Sequence, residues 1–212
     1  MSNHVKVKYS IAESLIEEGD ILLFRGTGLI SSLIKIAGHG NYSHIAIASK
    51  HDNYWEAIEY REWYGGRTVH LENYIRECQK NKTEIDVYRP CKYFSSLKFN
   101  QDNYNVDYSR IKFDGNKVTN CMRELTGLPY SYKRIWLLLK IHLFRLHLYK
   151  NLDKITNEIP SNEIILPVCS TVLAHCFAKN NYLILRNRSD QYIEPSDFSI
   201  SPRLNYLFTP YI

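Results

Sequence analysis

Cys169 opens the segment Cys169-Ser170-Thr171-Val172-Leu173-Ala174-His175-Cys176-Phe177-Ala178, whose apolar content and spacing predict a helix. A thiol in the first turn of a helix feels unpaired backbone N–H groups and the positive end of the helix dipole, and both favour thiolate. Such a cysteine is prepared as a nucleophile if an imidazole takes or shares its proton and an acceptor fixes the tautomer of that imidazole. Of the eight histidines, His44 is distinctive, because it opens the apolar run His44-Ile45-Ala46-Ile47-Ala48 and so projects from a rigid strand. On the next predicted strand, Tyr54 to Tyr60, Glu56 lies between Trp55 and Ala57, where a carboxylate needs a partner. Glu59 competes for the same role, but strand alternation puts the two glutamates on opposite faces, so they cannot both meet one imidazole. Glu56 is the expected member, being nearer the middle of the apolar run and followed by a small residue. Taken singly, each residue also has a plain structural reading: a core thiol, a satisfied strand histidine and a salt-bridge carboxylate.

These residues need elements to position them. Asp20 to Phe24, between Gly19 and the Arg25-Gly26-Thr27-Gly28 turn, reads as a buried strand, with helical spacing before it over Ile11 to Glu18. Leu29 to Ala37 reads as a helix stopped by Gly38 and Gly40. The strands at His44 and Tyr54 form a predicted hairpin through Lys50-His51-Asp52-Asn53. Arg67 to Leu71 and Glu84 to Arg89 add strands, with a short helix over Glu72 to Gln79 between them and Pro90 closing the sheet region. The polar, Tyr- and Asn-rich stretch Cys91 to Lys117 reads as a long connection with one helical turn, and Val118 to Leu125 as a helix ending before Gly127. On the last helix Cys169, Leu173 and Cys176 share one face, with Leu173 and Cys176 as its buried part and Cys169 at the amino-terminal tip. Neither a repeat nor a second hydrophobic core is evident, so the expectation is a single α+β domain over residues 1–212, an antiparallel sheet packed against helices.

Composition narrows the function classes. With 212 residues, 44% hydrophobic and 23% charged, the chain can build its own core without disulfides or a structural metal. Cys78, Cys91, Cys121, Cys169 and Cys176 form an odd, irregular set without a CxxC pair, which argues against a disulfide framework and a zinc knuckle and suits a reducing compartment. His142 and His147 are poorly placed for one helical face, and Cys169, His175 and Cys176 lack ligand spacing, so no metal is expected. Gly26-Thr27-Gly28 lacks the lysine of a phosphate loop and the third glycine of a dinucleotide fingerprint, so no cofactor is expected either. The net charge of +5 is diffuse, and Arg186-Asn187-Arg188 with Lys179 reads as a solvated basic turn, which excludes nucleic acid as the expected partner. Nothing in the sequence reads as an export signal or a membrane span, and the expected location is the cytoplasm unless a phage or virus delivers the protein. The apolar stretch 135–149 is interrupted by Lys140, His142, Arg145 and His147 and reads as a buried or lid helix, with peripheral membrane contact as the alternative.

The order of the pieces resembles a known family. Gly19-Asp20-Ile21-Leu22-Leu23-Phe24, Tyr42-Ser43-His44-Ile45-Ala46-Ile47, Trp55-Glu56-Ala57, Gly127-Leu128-Pro129-Tyr130 and Val168-Cys169-Ser170, followed by Glu194-Pro195-Ser196-Asp197-Phe198 and Ser201-Pro202, are similar to the permuted papain-like hydrolases of the YaeF/YiiX group. These are relatives of NlpC-type cell-wall peptidases in which the cysteine helix follows the histidine strand. The resemblance implies an antiparallel sheet packed against helices, with Cys169 as nucleophile, His44 as general base and acid, Glu56 as the orienting group, and the Cys169 N–H in an oxyanion hole. Ala46 stands where the group commonly has glycine, and about 132–164 looks like a helical insertion before the nucleophile helix.

The expected function is a cysteine-dependent hydrolase or acyltransferase that cleaves an amide, ester or thioester through an acyl-enzyme on Cys169. The resemblance extends to peptidoglycan amidases and the lecithin retinol acyltransferase group, so the substrate is a peptide, a peptidoglycan fragment or an acyl lipid. The alternative is a non-catalytic lipid- or peptide-binding module on the same scaffold, whose activity would survive mutation of Cys169.

Overall fold

A computed structural model of the chain describes residues 4–26, 40–100, 105–129, 168–184 and 193–212. In chain order the elements are β1 (Lys6–Lys8), α1 (Tyr9–Leu15), β2 (Ile21–Arg25), β3 (His44–His51), β4 (Tyr54–Arg61), β5 (Gly65–His70), α2 (Leu71–Lys80) and β6 (Glu84–Pro90). They continue with β7 (Tyr93–Asn100), β8 (Asn105–Lys112), α3 (Gly115–Glu124), α4 (Cys169–Lys179), α5 (Pro195–Ser199) and β9 (Leu204–Tyr211). A seven-stranded sheet runs β1-β9-β6-β2-β3-β4-β5, and β7 pairs with β8 in a separate hairpin. All the pairings are antiparallel except that of β1 with β9.

The sheet is buried on both sides, because its central strands are apolar at consecutive positions. Ile21-Leu22-Leu23-Phe24 shows the consequence: Ile21 and Leu23 enter one cluster of buried side chains, Leu22 and Phe24 the other. The first cluster joins Ile45, Ile47, Ile58 and Tyr60 to α3 and α4 through Val118, Met122, Leu173 and Phe177. The second joins Ala46, Ala48 and Ala57 to α1 and α2 through Ala12, Leu71, Tyr74 and Ile75. Small residues on the second face of β3 and β4 let the helices approach closely. The expectation of one core is therefore corrected to two, one on each face of the sheet.

The expected fold class, an antiparallel sheet packed against helices, is what the structure has. The long connection expected over Cys91 to Lys117 is instead the β7–β8 hairpin followed by the start of α3. Phe94 anchors that hairpin, its ring 5.2 Å from Tyr182 and 6.3 Å from Phe177. Gly115, which begins α3, lies so close to the Glu18 carbonyl that a Cβ would stand 2.0 Å from its oxygen. The helix at Leu29 to Ala37, the insertion at about 132–164 and the apolar stretch 135–149 lie outside the described residues. Among the described residues, no helix is long and apolar enough to cross a membrane.

Candidate active site

Cys169 is the first residue of α4, as its position in the sequence predicts. Val168 has no polar side chain to cap the helix. Thr171 substitutes, its hydroxyl accepting from the Val168 N–H at 3.3 Å and donating to the Val168 carbonyl at 3.2 Å. The N–H groups of the first turn have no partner within the helix, so they and the dipole act where the thiol sits. The helix is buried nearly all round, from Cys169 to Ala174 and again at Cys176 and Phe177, and not only along the face expected from Leu173 and Cys176. This fixes the tip by packing on several sides.

His44 is the first residue of β3, where the strand emerges from the sheet. The chain entering it is pinned at three points. The Ser43 N–H donates to the Phe24 carbonyl at 3.0 Å, the Tyr42 N–H donates to Ser196 Oγ at 3.1 Å, and the Tyr42 hydroxyl donates to Asp86 at 2.7 Å. Asp86 is fully buried in β6 and also accepts from Arg25 at 2.9 Å and from Thr209. The His44 ring packs edge-on against Phe24, with centroids 4.9 Å apart, and its side chain is 16% exposed. One side of it faces an open cleft lined by Phe24, Ser43, Arg61, Tyr74 and Glu77.

His44 has two neighbours that define its chemistry. Its Nε2 lies 2.6 Å from Glu59 Oε2, and Cys169 stands near enough for the charge of its sulfur to act on the imidazole. Burial by itself would push the His44 pKa down, but the negative charges of Cys169 and Glu59 and the hydrogen bond to Glu59 raise it to about 10. Glu59 is fully buried in β4, and it is the best-connected carboxylate of the site. Arg67 of β5 donates to its Oε1 from Nε at 2.8 Å and from Nη2 at 2.6 Å. Tyr74 of α2 donates to Oε2 at 2.5 Å. Burial raises the Glu59 pKa, but His44, the Tyr74 hydrogen bond and Arg67 outweigh it and hold the carboxyl down at about 2.

Glu56, the glutamate expected to orient His44, does not reach it. Its strand partner is Ser49, five residues along β3 from His44, which at about 3.3 Å per residue is about 16 Å away. It also stands on the other face of the sheet from Glu59, as strand alternation requires. There Glu56 is ion-paired with Arg123 of α3. Arg123 in turn donates to Ser49 Oγ at 2.9 Å, and Ser49 donates to Glu18 at 2.6 Å. Glu56 thus ties α3 to the sheet, and Glu59 takes the position beside the imidazole. Hairpin parity carried this signal: a two-residue Asp52-Asn53 turn sets Glu59 opposite Ala46, on the face of His44. Arg67 and Tyr74 had no comparable signal, since they reach Glu59 from elements whose placement depends on the folded sheet.

No family model matches the chain, and neither does any curated protein. In three dimensions the fold is an α+β architecture with a sheet packed against helices, and solved structures share it. One is the crystal structure of the metalloprotein YiiX from Escherichia coli O157:H7, a DUF1105 protein, at a TM-score of 0.58 and 13% identity. The match covers 92% of this chain and 98% of that one. At this identity the likeness establishes a YiiX-like fold and leaves the chemistry to the residues.

Among the described residues, no group of three His, Cys, Asp and Glu side chains is arranged to hold an ion. In the site itself, His44 is engaged by Glu59 and Cys169, and both Glu59 oxygens accept hydrogen bonds.

Proposed function

We propose that this protein is a cysteine-dependent hydrolase or acyltransferase, with Cys169 as nucleophile, His44 as acid and base, and Glu59 as the orienting carboxylate in place of Glu56. The observation that carries this reading is His44 held at 2.6 Å from Glu59 on two adjacent strands, with Cys169 at the tip of one helix near enough for its charge to act on the imidazole. In this reading the Cys169 sulfur attacks the carbonyl carbon of an amide, ester or thioester, and the carbonyl electrons move onto oxygen beside the N–H groups at the start of α4. His44 delivers its proton to the leaving group as the tetrahedral intermediate collapses to an acyl-thioester on Cys169. Water or another nucleophile then loses a proton to His44, attacks the thioester and releases the thiolate. Glu59 remains ionised throughout, since Arg67 and Tyr74 hold it in that form. The papain-like relationship suggested by the order of motifs supports the same assignment of Cys169 and His44.

The test is acyl-enzyme trapping. On incubation with p-nitrophenyl acetate, intact-mass and peptide mass spectrometry should find one acetyl group, on Cys169. Cys169→Ser and His44→Ala should slow its formation by about a hundredfold or more. Nitrophenolate release at the wild-type rate in Cys169→Ser, with acetyl elsewhere, would overturn the proposal in favour of a binding module.

A further inference from the structure

Glu59 has more partners than an orienting carboxylate needs, and the way they divide its two oxygens is informative. Oε1 takes both Arg67 donors. Oε2 takes the Tyr74 hydroxyl and faces His44 Nε2. Tyr74 has a single hydroxyl proton, and Arg61 decides where it goes: Arg61 Nη1 donates to the Tyr74 oxygen at 3.0 Å, so the tyrosine accepts from the arginine and donates to the carboxylate. The Arg61 guanidinium also lies against the Tyr74 ring, 5.6 Å from its centroid.

We propose that Tyr74 is a positioning residue for this site, its hydroxyl committed by Arg61 to donate to Glu59, so that the carboxylate is held ionised and turned toward His44. This rests on the assignment of His44 and Glu59 above and deepens it. The arrangement works without a loop: Glu59 and Arg61 are on β4, Arg67 on β5, His44 on β3 and Tyr74 on α2. Without Tyr74 the two Arg67 donors would be free to draw the carboxylate to their side and away from the imidazole. Glu59 and Tyr74 are both buried, so solvent does not compete for these bonds. Burial first, and then the charge of Glu59, keep the Tyr74 proton on its oxygen.

Among the described residues, the charged and titratable groups around the pair are few. They are His44 from β3, Arg61 from β4 itself, Arg67 from β5, Glu77 and Cys78 from α2, and Cys169 of α4 through His44. The Tyr74 ring has a structural duty as well, packing 5.2 Å from Phe24 in the core between sheet and α2. Tyr74→Phe keeps that ring and removes only the hydroxyl.

The experiment follows the carbon-bound ring proton of His44 by NMR through an acid titration, in wild type, Tyr74→Phe and Arg61→Met. Protonation of Glu59 withdraws the carboxylate from the imidazole and gives an inflection. In wild type it falls below the ordinary carboxylate range, and in Tyr74→Phe it should move up by about one pH unit, the equivalent of one hydrogen bond to a charge. Arg61→Met should move it in the same direction by less. An inflection in Tyr74→Phe at the wild-type pH overturns the proposal, because a purely structural tyrosine would lower the melting temperature without moving it. A shift in Tyr74→Phe with none in Arg61→Met overturns the part given to Arg61. If Tyr74→Phe does not fold, Arg61→Met decides. Selective alkylation of Cys169, measured on the same samples, reports on the nucleophile separately: its absence in wild type sinks the proposed function, while the inflection still decides the role of Tyr74.

Discussion

His44 and Glu59 meet diagonally across one antiparallel strand pair, Nε2 to Oε2 at 2.6 Å. Ala46 is the register partner of Glu59, and His44 stands two residues earlier on the same face. The side chains therefore come together through backbone pairing, whose geometry is stiff, and Cys169, at the buried tip of α4, is near enough for its charge to act on His44. A site so built is held ready in the folded protein, which is what the proposed catalysis by fixed groups requires.

The two glutamates of β4 should separate cleanly on mutation. Glu59→Gln removes the charge facing His44 and should slow Cys169 alkylation by about tenfold or more with iodoacetamide, consistent with loss of an orienting carboxylate. Glu56→Gln should leave that rate unchanged. Its cost is structural: the half-buried Arg123 loses its charged partner, and urea unfolding should register about 1–2 kcal/mol. The reverse pattern would return the orienting role to Glu56.

Stability should follow pH in two opposite directions. The Glu59 pKa is lowered from 4.5 to about 2, so its contribution is present above 4.5 and is lost as pH falls toward 2. The His44 pKa is raised from 6.5 to about 10, so its contribution is present below 6.5 and is lost as pH rises toward 10. Urea midpoints should therefore decline on both sides of the interval between 4.5 and 6.5. His44→Ala should remove the alkaline decline, and Cys169→Ser should move it to lower pH, since the sulfur charge is one of the causes of the upward shift. An alkaline decline of the same size in His44→Ala would contradict this linkage.

Asp86 should govern the site from a distance. It gathers Tyr42, Arg25 and Thr209 around one buried carboxylate, and Tyr42 leads directly into His44. Asp86→Ala leaves Arg25 with less compensation and Tyr42 untethered, and should cost about 3 kcal/mol in urea unfolding. Broadened NMR signals from His44 should accompany the loss. A variant as stable as wild type with unchanged His44 signals would remove Asp86 from the account.

Much of the architecture was legible because strands such as Ile21–Arg25 and His44–His51 are short, apolar and bounded by turn residues. The tip of α4 was legible for a related reason, as an apolar run beginning abruptly at Cys169. The β7–β8 hairpin was not: its sequence is polar and weakly alternating, and it is held by Phe94 against distant Phe113, Phe177 and Tyr182. β9 completes the sheet beside β6 and β1, a pairing between opposite ends of the chain that local pattern does not carry. In the site, the types of residue were legible and their pairing was not. Glu56 looked central because it lies in the middle of its strand, whereas contact with His44 is set by register. The Ser49–Glu56 and Ala46–Glu59 pairs assign the two carboxylates to different faces and different partners.

The most direct measurement is the rate of iodoacetamide alkylation at each of the five cysteines across pH, mapped by mass spectrometry in wild type, His44→Ala and Glu59→Gln. Burial pushes the Cys78 thiol up to about 12, and hydrogen bonding with the neighbouring Cys121 thiol together with burial pushes Cys176 up as well, so both should stay silent. Cys91 is the least buried of the five and serves as the ordinary thiol for comparison. The account predicts that at about pH 6, where a free thiol is almost wholly protonated, Cys169 alone alkylates, and that each variant abolishes this preference. Cys169 reacting no faster than Cys91 in the wild type, or unchanged by His44→Ala, would contradict it.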